Sequence, residues 1–273
     1  MSFVLETSRE LERVERRVLG ALRCVDATTS APLRHALRID APAGARIQRN
    51  RSGLLVIQEW APLADHAAAF LNPPPGPPDG LLSFTVGIAD PTGHYLPRLV
   101  RVELPRDANP ANAALPGSLF RPLQVPMYPS SIGRLGANWA ALSLSLREAG
   151  SGEALGGVLL RVVSDGQVLA RGLSDWRGEA LVPVAGIPVT TWSAGPGDVI
   201  VTQIEATVEA IADPASVTRT PQADVIAGRI SFAQPLVDPA AIETARAGLP
   251  QASAPVSLAA GRPLHVSLGI SLV

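Results

Sequence analysis

The sequence predicts a mainly β protein with two β-sandwich lobes, an N-terminal helix and a short C-terminal helix. Short runs rich in Val, Ile, Leu and Phe recur along the chain and are bounded by Pro, Gly, Asn and Asp, a pattern typical of strands joined by turns. The 26 prolines and 24 glycines are spread between these runs, as expected for many short strands. A weak internal repeat favours two related lobes over one barrel.

The first segment, residues 1–23, is predicted to contain a helix over residues 5–22. Glu12 and Arg16 form an i,i+4 pair on it. Apolar residues follow one another at three- and four-residue steps: Leu11, Val14, Val18 and Leu22. We expect the helix to pack on its own domain, although an amphipathic arm that docks on a partner fits the same pattern.

Residues 24–106 are predicted to form the first lobe. Apolar runs predict strands at 33–39, 54–58, 82–88 and 99–104. Between them, residues 72–80 contain five prolines, which cannot donate to a β-ladder and therefore predict a loop. We favour a stiff spacer over a docking strip for an aromatic groove, because no second motif of this kind supports recognition.

Residues 107–137 are predicted to be a proline-rich connection between the lobes. Five prolines are interleaved there with the large apolar residues Leu119, Phe120, Met127 and Tyr128. The pattern indicates an extended segment that lies on the surface of a domain or of a neighbouring protein.

Residues 138–273 are predicted to form the second lobe. Alternating apolar and polar residues predict strands at 140–146, 158–163, 167–170 and 179–184. Asp165-Gly166 predicts a tight hairpin. Residues 199–211 alternate almost without a break, and predict one long half-exposed strand that suits pairing with a neighbour at an exposed sheet edge.

The C-terminal part of this lobe carries a short helix and a last strand. The helix is predicted over residues 238–248, with Asp238 at the N-cap, Pro239 at the first position and Gly248 past the end. The strand is predicted at residues 263–272.

The two lobes are expected to be related. Residues 22–33, a strand and residues 51–57 parallel residues 144–155, a strand and residues 177–184. Turns at strand-length intervals in both units favour two sandwiches.

Two turns and a strand of the second lobe carry a family resemblance. Residues 149–155, Ala-Gly-Ser-Gly-Glu-Ala-Leu, precede the strand at 158–163, and the turn Asp175-Trp-Arg-Gly178 follows. Asp175 can cap this turn, and Gly178 can adopt a positive φ. The segment resembles the carboxypeptidase regulatory-like domain. The resemblance implies a transthyretin- or Ig-like sandwich without catalytic residues.

Other segments resemble proteins of contractile, phage-tail-like injection particles. These segments are residues 25–33, 49–56, 84–97 and 104–106, followed by the regulatory-like sandwich. The resemblance implies a structural or adaptor subunit at the baseplate or tail end. Such a subunit contacts other subunits, and is assembled in the cytoplasm into a particle that can be released.

Composition narrows the function classes further. A net charge of −1 disfavours nucleic acid as a partner. All 23 basic residues are arginine, which excludes Schiff-base and P-loop lysine chemistry. A single cysteine excludes an intrachain disulfide and a thiolate zinc site. No apolar run is long enough to span a membrane, and the charged residues 1–20 predict a cytoplasmic protein without membrane insertion.

Catalytic motifs are not evident. The four histidines have no metal-ligand spacing, and Asp90-Pro-Thr-Gly93 is typical of a turn. We therefore expect no enzyme activity, cofactor, metal or small-molecule substrate. An enzyme that uses Asp90 with His94 is kept as a third hypothesis.

Five residues are predicted as candidate contacts in a protein interface: Arg49, Arg51, Phe120, Tyr128 and Trp176. Arg49 and Arg51 belong to a locally basic unit that also includes Arg34, Arg38 and Arg46, and arginine pairs well with carboxylates. A solvated arginine face is the interpretation we favour for this unit, because no aromatic stripe accompanies it. Trp176 lies in a polar turn and is expected to be partly exposed. The alternative function is a free-standing sandwich that binds a carbohydrate or protein ligand through its loops.

Overall fold

Strands form most of the regular structure in a computed structural model of the chain. The structure describes residues 18–68, 80–133, 135–136, 138–187, 191–192, 199–200, 203–229 and 234–272. The prediction of a mainly β protein is confirmed.

The elements follow one another along the chain in two halves. The first half contains β1 (Gly20–Asp26), β2 (Arg38–Asp40), β3 (Ala45–Arg49), β4 (Leu55–Trp60), helix α1 (Ala64–Ala68), β5 (Leu82–Ala89), β6 (Arg98–Leu104) and β7 (Leu123–Met127). The second half contains β8 (Ala140–Glu148), β9 (Ala154–Gly156), β10 (Leu159–Ser164), β11 (Gln167–Leu173), β12 (Glu179–Val184), β13 (Thr191–Trp192), β14 (Val199–Ile200), β15 (Gln203–Ile211), β16 (Thr218–Thr220), helix α2 (Gln222–Ile226), helix α3 (Pro239–Ala245), β17 (Gln251–Ala259) and β18 (Pro263–Ile270). Single turns of 3-10 helix lie at Ala61–Leu63, Pro110–Asn112 and Arg246–Gly248.

The first half builds one buried core from two sheets. One sheet has the order β3-β4-β1-β7 and the other the order β2-β5-β6. Their alternate apolar residues, such as Leu22 and Ile57 from the first sheet and Val86 and Leu104 from the second, belong to one buried cluster. Burying one face of each sheet against the other is the packing that alternating strands favour.

The predicted N-terminal helix is wrong at its C-terminal end. Residues 20–22 belong to β1, and residues 1–17 lie outside the described part of the chain. Val18 and Leu22 are four residues apart, a spacing that places two residues on one face of a helix or of a strand. Leu22 and Cys24 are buried while Arg23 between them is exposed, which is the two-residue alternation of a strand with one face on the core.

The predicted connection at 107–137 contains a strand. β7 pairs in parallel with β1, from Leu22 opposite Leu123 to Asp26 opposite Met127. Proline disfavours a strand because it has no N–H to donate to a neighbouring strand. Pro126 is tolerated here because β7 lies at the edge of its sheet. Residues 123–127 therefore belong to the first half and not to a linker.

The second half builds another core from two further sheets. One has the order β11-β10-β15-β17, and the other has β12, β8, β9 and β16, with β18 parallel to β8. Leu144, Leu160 and Val208 are among its fully buried residues. The hairpin predicted at Asp165-Gly166 joins β10 to β11, and both turn residues have a positive φ, 49° and 74°.

The long strand predicted at 199–211 is not an exposed edge. It is divided into β14 and β15, and residues 201–202 lie outside the described part. β15 pairs with β10 on one side and with β17 on the other. Its alternation therefore reports a central strand with one solvated face, and its backbone is already paired.

A third buried cluster joins the two halves. It combines Leu96 and Tyr128 from the first half with Leu159, Leu173, Ile211, Val237 and Ile242 from the second. Helix α3 supplies Ile242, and the side chain of Asp238 caps its first turn by accepting from the Ala240 N–H at 3.0 Å. The Leu99 N–H also donates to the Val237 carbonyl at 2.7 Å. Contacts of this kind hold the halves in a fixed arrangement.

Candidate functional site

The five predicted contact residues do not lie together. Phe120 and Arg51 are exposed, whereas Tyr128 and Trp176 are buried. Arg49 is exposed but already bonded within the chain. Phe120 lies on a loop, Arg49 and Arg51 line a concavity rich in arginine, and the other two residues are buried.

Tyr128 is wrong as a free surface contact. Only 3% of the residue is exposed, and Arg98 lies over its ring at 5.8 Å from the centroid. Burial raises the pKa of Tyr128, an effect that the positive charge of Arg98 opposes. The residue follows β7 directly, so the parallel pairing of that strand carries it into the cluster between the halves.

The prediction that Trp176 is partly exposed is also wrong, since the residue is buried with only 8% of its surface exposed. Its turn is held by Asp175, whose Oδ1 accepts from the N–H groups of Arg177 at 2.9 Å and Glu179 at 3.1 Å. The Trp176 carbonyl accepts from the hydroxyl of Thr220 at 2.7 Å. This bond ties the turn to β16, a contact distant in sequence that local polarity could not indicate.

Residues 107–121, called the projecting loop below, carry two of the exposed large apolar side chains. Phe120 is 54% exposed and Leu115 is 53% exposed. Ser118, which is fully buried, bridges to Asp107 across the base of the loop. The Leu119 N–H donates to the Asp107 carbonyl at 2.7 Å. Phe120 therefore projects from an ordered backbone.

Arg106 anchors this loop from the end of β6. Its guanidinium donates to the carbonyls of Ser118 at 3.0 Å, Arg121 at 3.2 Å and Pro116. Burial lowers the pKa of Arg106, as does the neighbouring charge of Arg121. Because three backbone carbonyls accept hydrogen bonds from Arg106, the loop is already ordered in the free protein, and less conformational entropy is lost when it binds a partner.

The arginine concavity is a cavity of about 410 Å³ in the first half. Its charged lining consists of Arg23, Arg34, Arg49 and Arg51. Arg49 donates to the carbonyls of His35 at 2.5 Å and Leu33 at 3.2 Å. The remaining lining residues are Cys24, Pro32, Leu33, Asn50, Ser52 and Gly53, so none of the described residues that line it carries a carboxylate.

Arg23 was missed by the sequence reasoning, and two predicted members of the basic unit lie elsewhere. Arg46 pairs with Glu59 at 2.5 Å, and Arg38 lines a different cleft. The signal for Arg23 was its place between the apolar Leu22 and Cys24, which puts it on the solvent face of a strand. Because a helix was predicted up to residue 22, this strand alternation was not recognised.

A cleft of about 560 Å³ lies between the halves and contains Asp90. The buried carboxylate accepts from the N–H groups of Thr92 at 2.9 Å, His94 at 3.1 Å and Tyr95 at 3.2 Å. Burial alone would raise the pKa of Asp90, but hydrogen bonds from Thr92 and the charge of His35 lower it overall.

The Asp90 and His94 of the enzyme hypothesis are linked through Thr92. The Thr92 hydroxyl lies 2.7 Å from Asp90 Oδ1 and 2.8 Å from His94 Nδ1. These bonds close the predicted turn. The His35 ring stacks on Tyr95, and the Tyr95 hydroxyl donates to Asp26 at 2.7 Å. The network thus fixes the wall of the cleft.

No group of three or more His, Cys, Asp or Glu side chains in the described part of the chain is arranged to hold a metal ion. No helix in the same ranges is both long and apolar enough to cross a membrane.

Comparisons with known proteins assign no family to the chain. No family model and no curated protein matches the sequence. A solved structure that is similar is the Bacillus anthracis TIE protein, with 8% identity and a TM-score of 0.25 over 94% of this chain and 34% of that one. The chain spans about a third of that protein's length. The resemblance to tail-like particle proteins gains no firm support here and stays a prediction.

Proposed function

We propose that the protein is a noncatalytic structural or adaptor subunit of a contractile, phage-tail-like injection particle. It contacts other subunits at the baseplate or tail end, and the particle assembles in the cytoplasm before it is released. The observation that supports this proposal is the projecting loop, whose Phe120 is 54% exposed on a backbone fixed by Arg106.

An exposed aromatic side chain on an ordered loop is suited to a protein contact, because aromatic residues are enriched in interfaces. Phe120 supplies a large apolar area, and aromatic anchors of this kind contribute much of the binding energy in interfaces. Leu115, in the same loop, is 53% exposed and adds a second apolar side chain. Burying both would gain free energy, and little entropy would be lost because the loop is already ordered.

The two cores support the proposed architecture of the subunit. Each half packs two sheets around its own buried cluster, and we infer that these are two sandwich lobes of the transthyretin- or Ig-like type. The cluster around Tyr128 then keeps the lobes from moving relative to one another. A rigid two-lobed body suits a subunit that must hold several neighbours at fixed positions.

A free-standing binding module is the second candidate function. The cleft between the halves favours it, because about 560 Å³ is large enough for a small ligand. Tyr95 and Trp176 line it beside the charged groups of Arg38 and Asp40. Aromatic and polar groups together suit a carbohydrate or a peptide.

Density-gradient sedimentation of native lysate tests the particle proposal. We expect the chain to sediment with sheath- and tube-like proteins, far from the position of a 28.4-kDa monomer. Phe120→Ser should release it from that fraction. Leu169→Ser, which removes another exposed apolar side chain, should not. A wild-type chain found only at monomer size, without partners, would overturn the proposal.

A further inference from the structure

We propose that the arginine concavity binds a carboxylate-rich segment of a partner protein. The proposal rests on the proposed function only in taking the partner to be a protein. It concerns a surface separate from the projecting loop, and it can be tested on the purified chain.

Four arginine residues from different segments line the concavity. Arg23 comes from β1, Arg34 from the segment before β2, Arg49 from the end of β3 and Arg51 from the turn after it. Within the described ranges, no carboxylate pairs with any of them, whereas Arg46 nearby has Glu59. Their charge is therefore not neutralised by described residues, and a concave surface concentrates the resulting field.

The concavity is shaped before a ligand arrives. Arg49 is held by the carbonyls of Leu33 and His35, which leaves its charge at a fixed point. The turn beside it is closed by the Gly53 N–H on the Asn50 carbonyl at 3.0 Å, with Gly53 at a φ of +80°. Fixed donors lose less entropy on binding than mobile ones.

Several donors remain for a ligand. Among the described residues, none accepts a hydrogen bond from the side chains of Arg23, Arg34 and Arg51 or from the N–H groups of Arg51 and Ser52. A guanidinium binds a carboxylate through two parallel hydrogen bonds. The concavity therefore offers sites for more than one carboxylate.

The same observations favour an acidic peptide over a nucleic acid. Among the described residues that line the concavity none is aromatic, so it has none of the aromatic platforms on which bases stack in single-stranded nucleic-acid sites. The chain carries a net charge of −1, without the excess of positive charge that a phosphate backbone requires. A cavity of about 410 Å³ suits a few side chains rather than a continuous strand. Glutamate and aspartate side chains meet these requirements.

Fluorescence anisotropy with a labelled octaglutamate peptide tests the proposal on the full chain at 50 mM salt. We expect binding that weakens in 300 mM salt. Arg34→Gln and Arg51→Gln should each weaken binding about fivefold, and the double variant should bind more weakly than either. Neither side chain has a bond to a described residue, so both variants should fold. Arg262→Gln, at an exposed arginine of the second half, is the matched control and should bind as the wild type does.

Three outcomes would overturn the proposal: no binding of the peptide at 50 mM salt, equal weakening by Arg262→Gln, or tighter binding of an eight-nucleotide RNA than of the peptide. Peptide binding by a chain that never sediments with a particle would keep this inference and overturn the particle proposal. Sedimentation with a particle and no peptide binding would do the reverse.

Discussion

Arg98 Nη2 lies 3.6 Å from the Asp238 carboxylate, so a charge at the start of β6 meets the residue that caps α3. Arg98 is 4% exposed and also donates to the Pro126 carbonyl at 2.8 Å. Arg98 thereby connects the two halves of the chain. Its guanidinium also lies over the ring of Tyr128, which belongs to the buried cluster between the halves.

Replacing Arg98 should loosen this junction. Arg98→Leu leaves Asp238 without its partner and the Pro126 carbonyl without its donor, and should lower the free energy of unfolding by about 3 kcal/mol. Urea unfolding followed by tryptophan fluorescence measures this. Arg101→Leu, on the same strand with a 65% exposed side chain, should cost less than about 0.5 kcal/mol. An equal decrease in the free energy of unfolding for the two variants would show that Arg98 does not stabilise the junction between the halves.

Gly178 should not tolerate a side chain. Its φ is +73°, and a Cβ there would collide with the Leu146 carbonyl oxygen. Gly178→Ala should therefore lower the free energy of unfolding by about 3 kcal/mol. Gly166→Ala has the same backbone strain at a φ of +74° but no atom within 4 Å, and should cost about 1 kcal/mol. A thermal melt of both variants separates the contact from the strain, and similar melting temperatures would exclude the contact.

Asp90 should make stability depend on acid pH. Its pKa is lowered in the folded protein from the ordinary 3.8, so it contributes stability above pH 3.8 that is lost as the pH falls through the lowered folded pKa. Asp90→Asn puts a donor where the His94 and Tyr95 N–H groups need an acceptor, and should cost about 2 kcal/mol at pH 7. Unfolding measured from pH 6 to pH 2 should show a smaller acid dependence for the variant. An unchanged dependence would refute this role.

Cys24 should be unreactive in the folded protein. Burial raises the pKa of its thiol from 9.0 to about 11, so at pH 8 its thiolate fraction falls about a hundredfold. Native protein mixed with a thiol reagent at pH 8 should react far more slowly than protein in 6 M guanidinium chloride. Comparable rates in the two solutions would show that the thiol is accessible.

Local signals in the sequence predicted the elements that depend on local chemistry. The Asp165-Gly166 hairpin and the helix cap at Asp238 lie where the turn and capping residues indicated. β1 was misjudged because a four-residue spacing fits a helix and a strand alike. β7 was not predicted because it contains Pro126, which a strand tolerates only at the edge of a sheet. Whether a strand lies at an edge depends on its pairing with a segment distant in sequence, here β1.

The candidate contact residues show the same division. Arg49 and Arg51 were predicted because they are close in sequence, but Arg23 reaches the concavity only through the placement of β1. Tyr128 and Trp176 were predicted as contacts from residue type, and both are covered by segments distant in sequence. Phe120 was predicted as a contact from residue type, is 54% exposed on a loop that bonds largely to itself, and stays a prediction as a contact.

The proposed function requires contact between the projecting loop and another protein in the assembled state. Photo-crosslinking tests it most directly, with a photoreactive phenylalanine analogue at position 120 in the native cell and, as a control, at position 169 in β11. We expect position 120 to crosslink to one particle subunit, identified by mass spectrometry, and position 169 not to crosslink to it. Crosslinks from position 120 to no protein, or to the same proteins as position 169, would contradict the proposed contact.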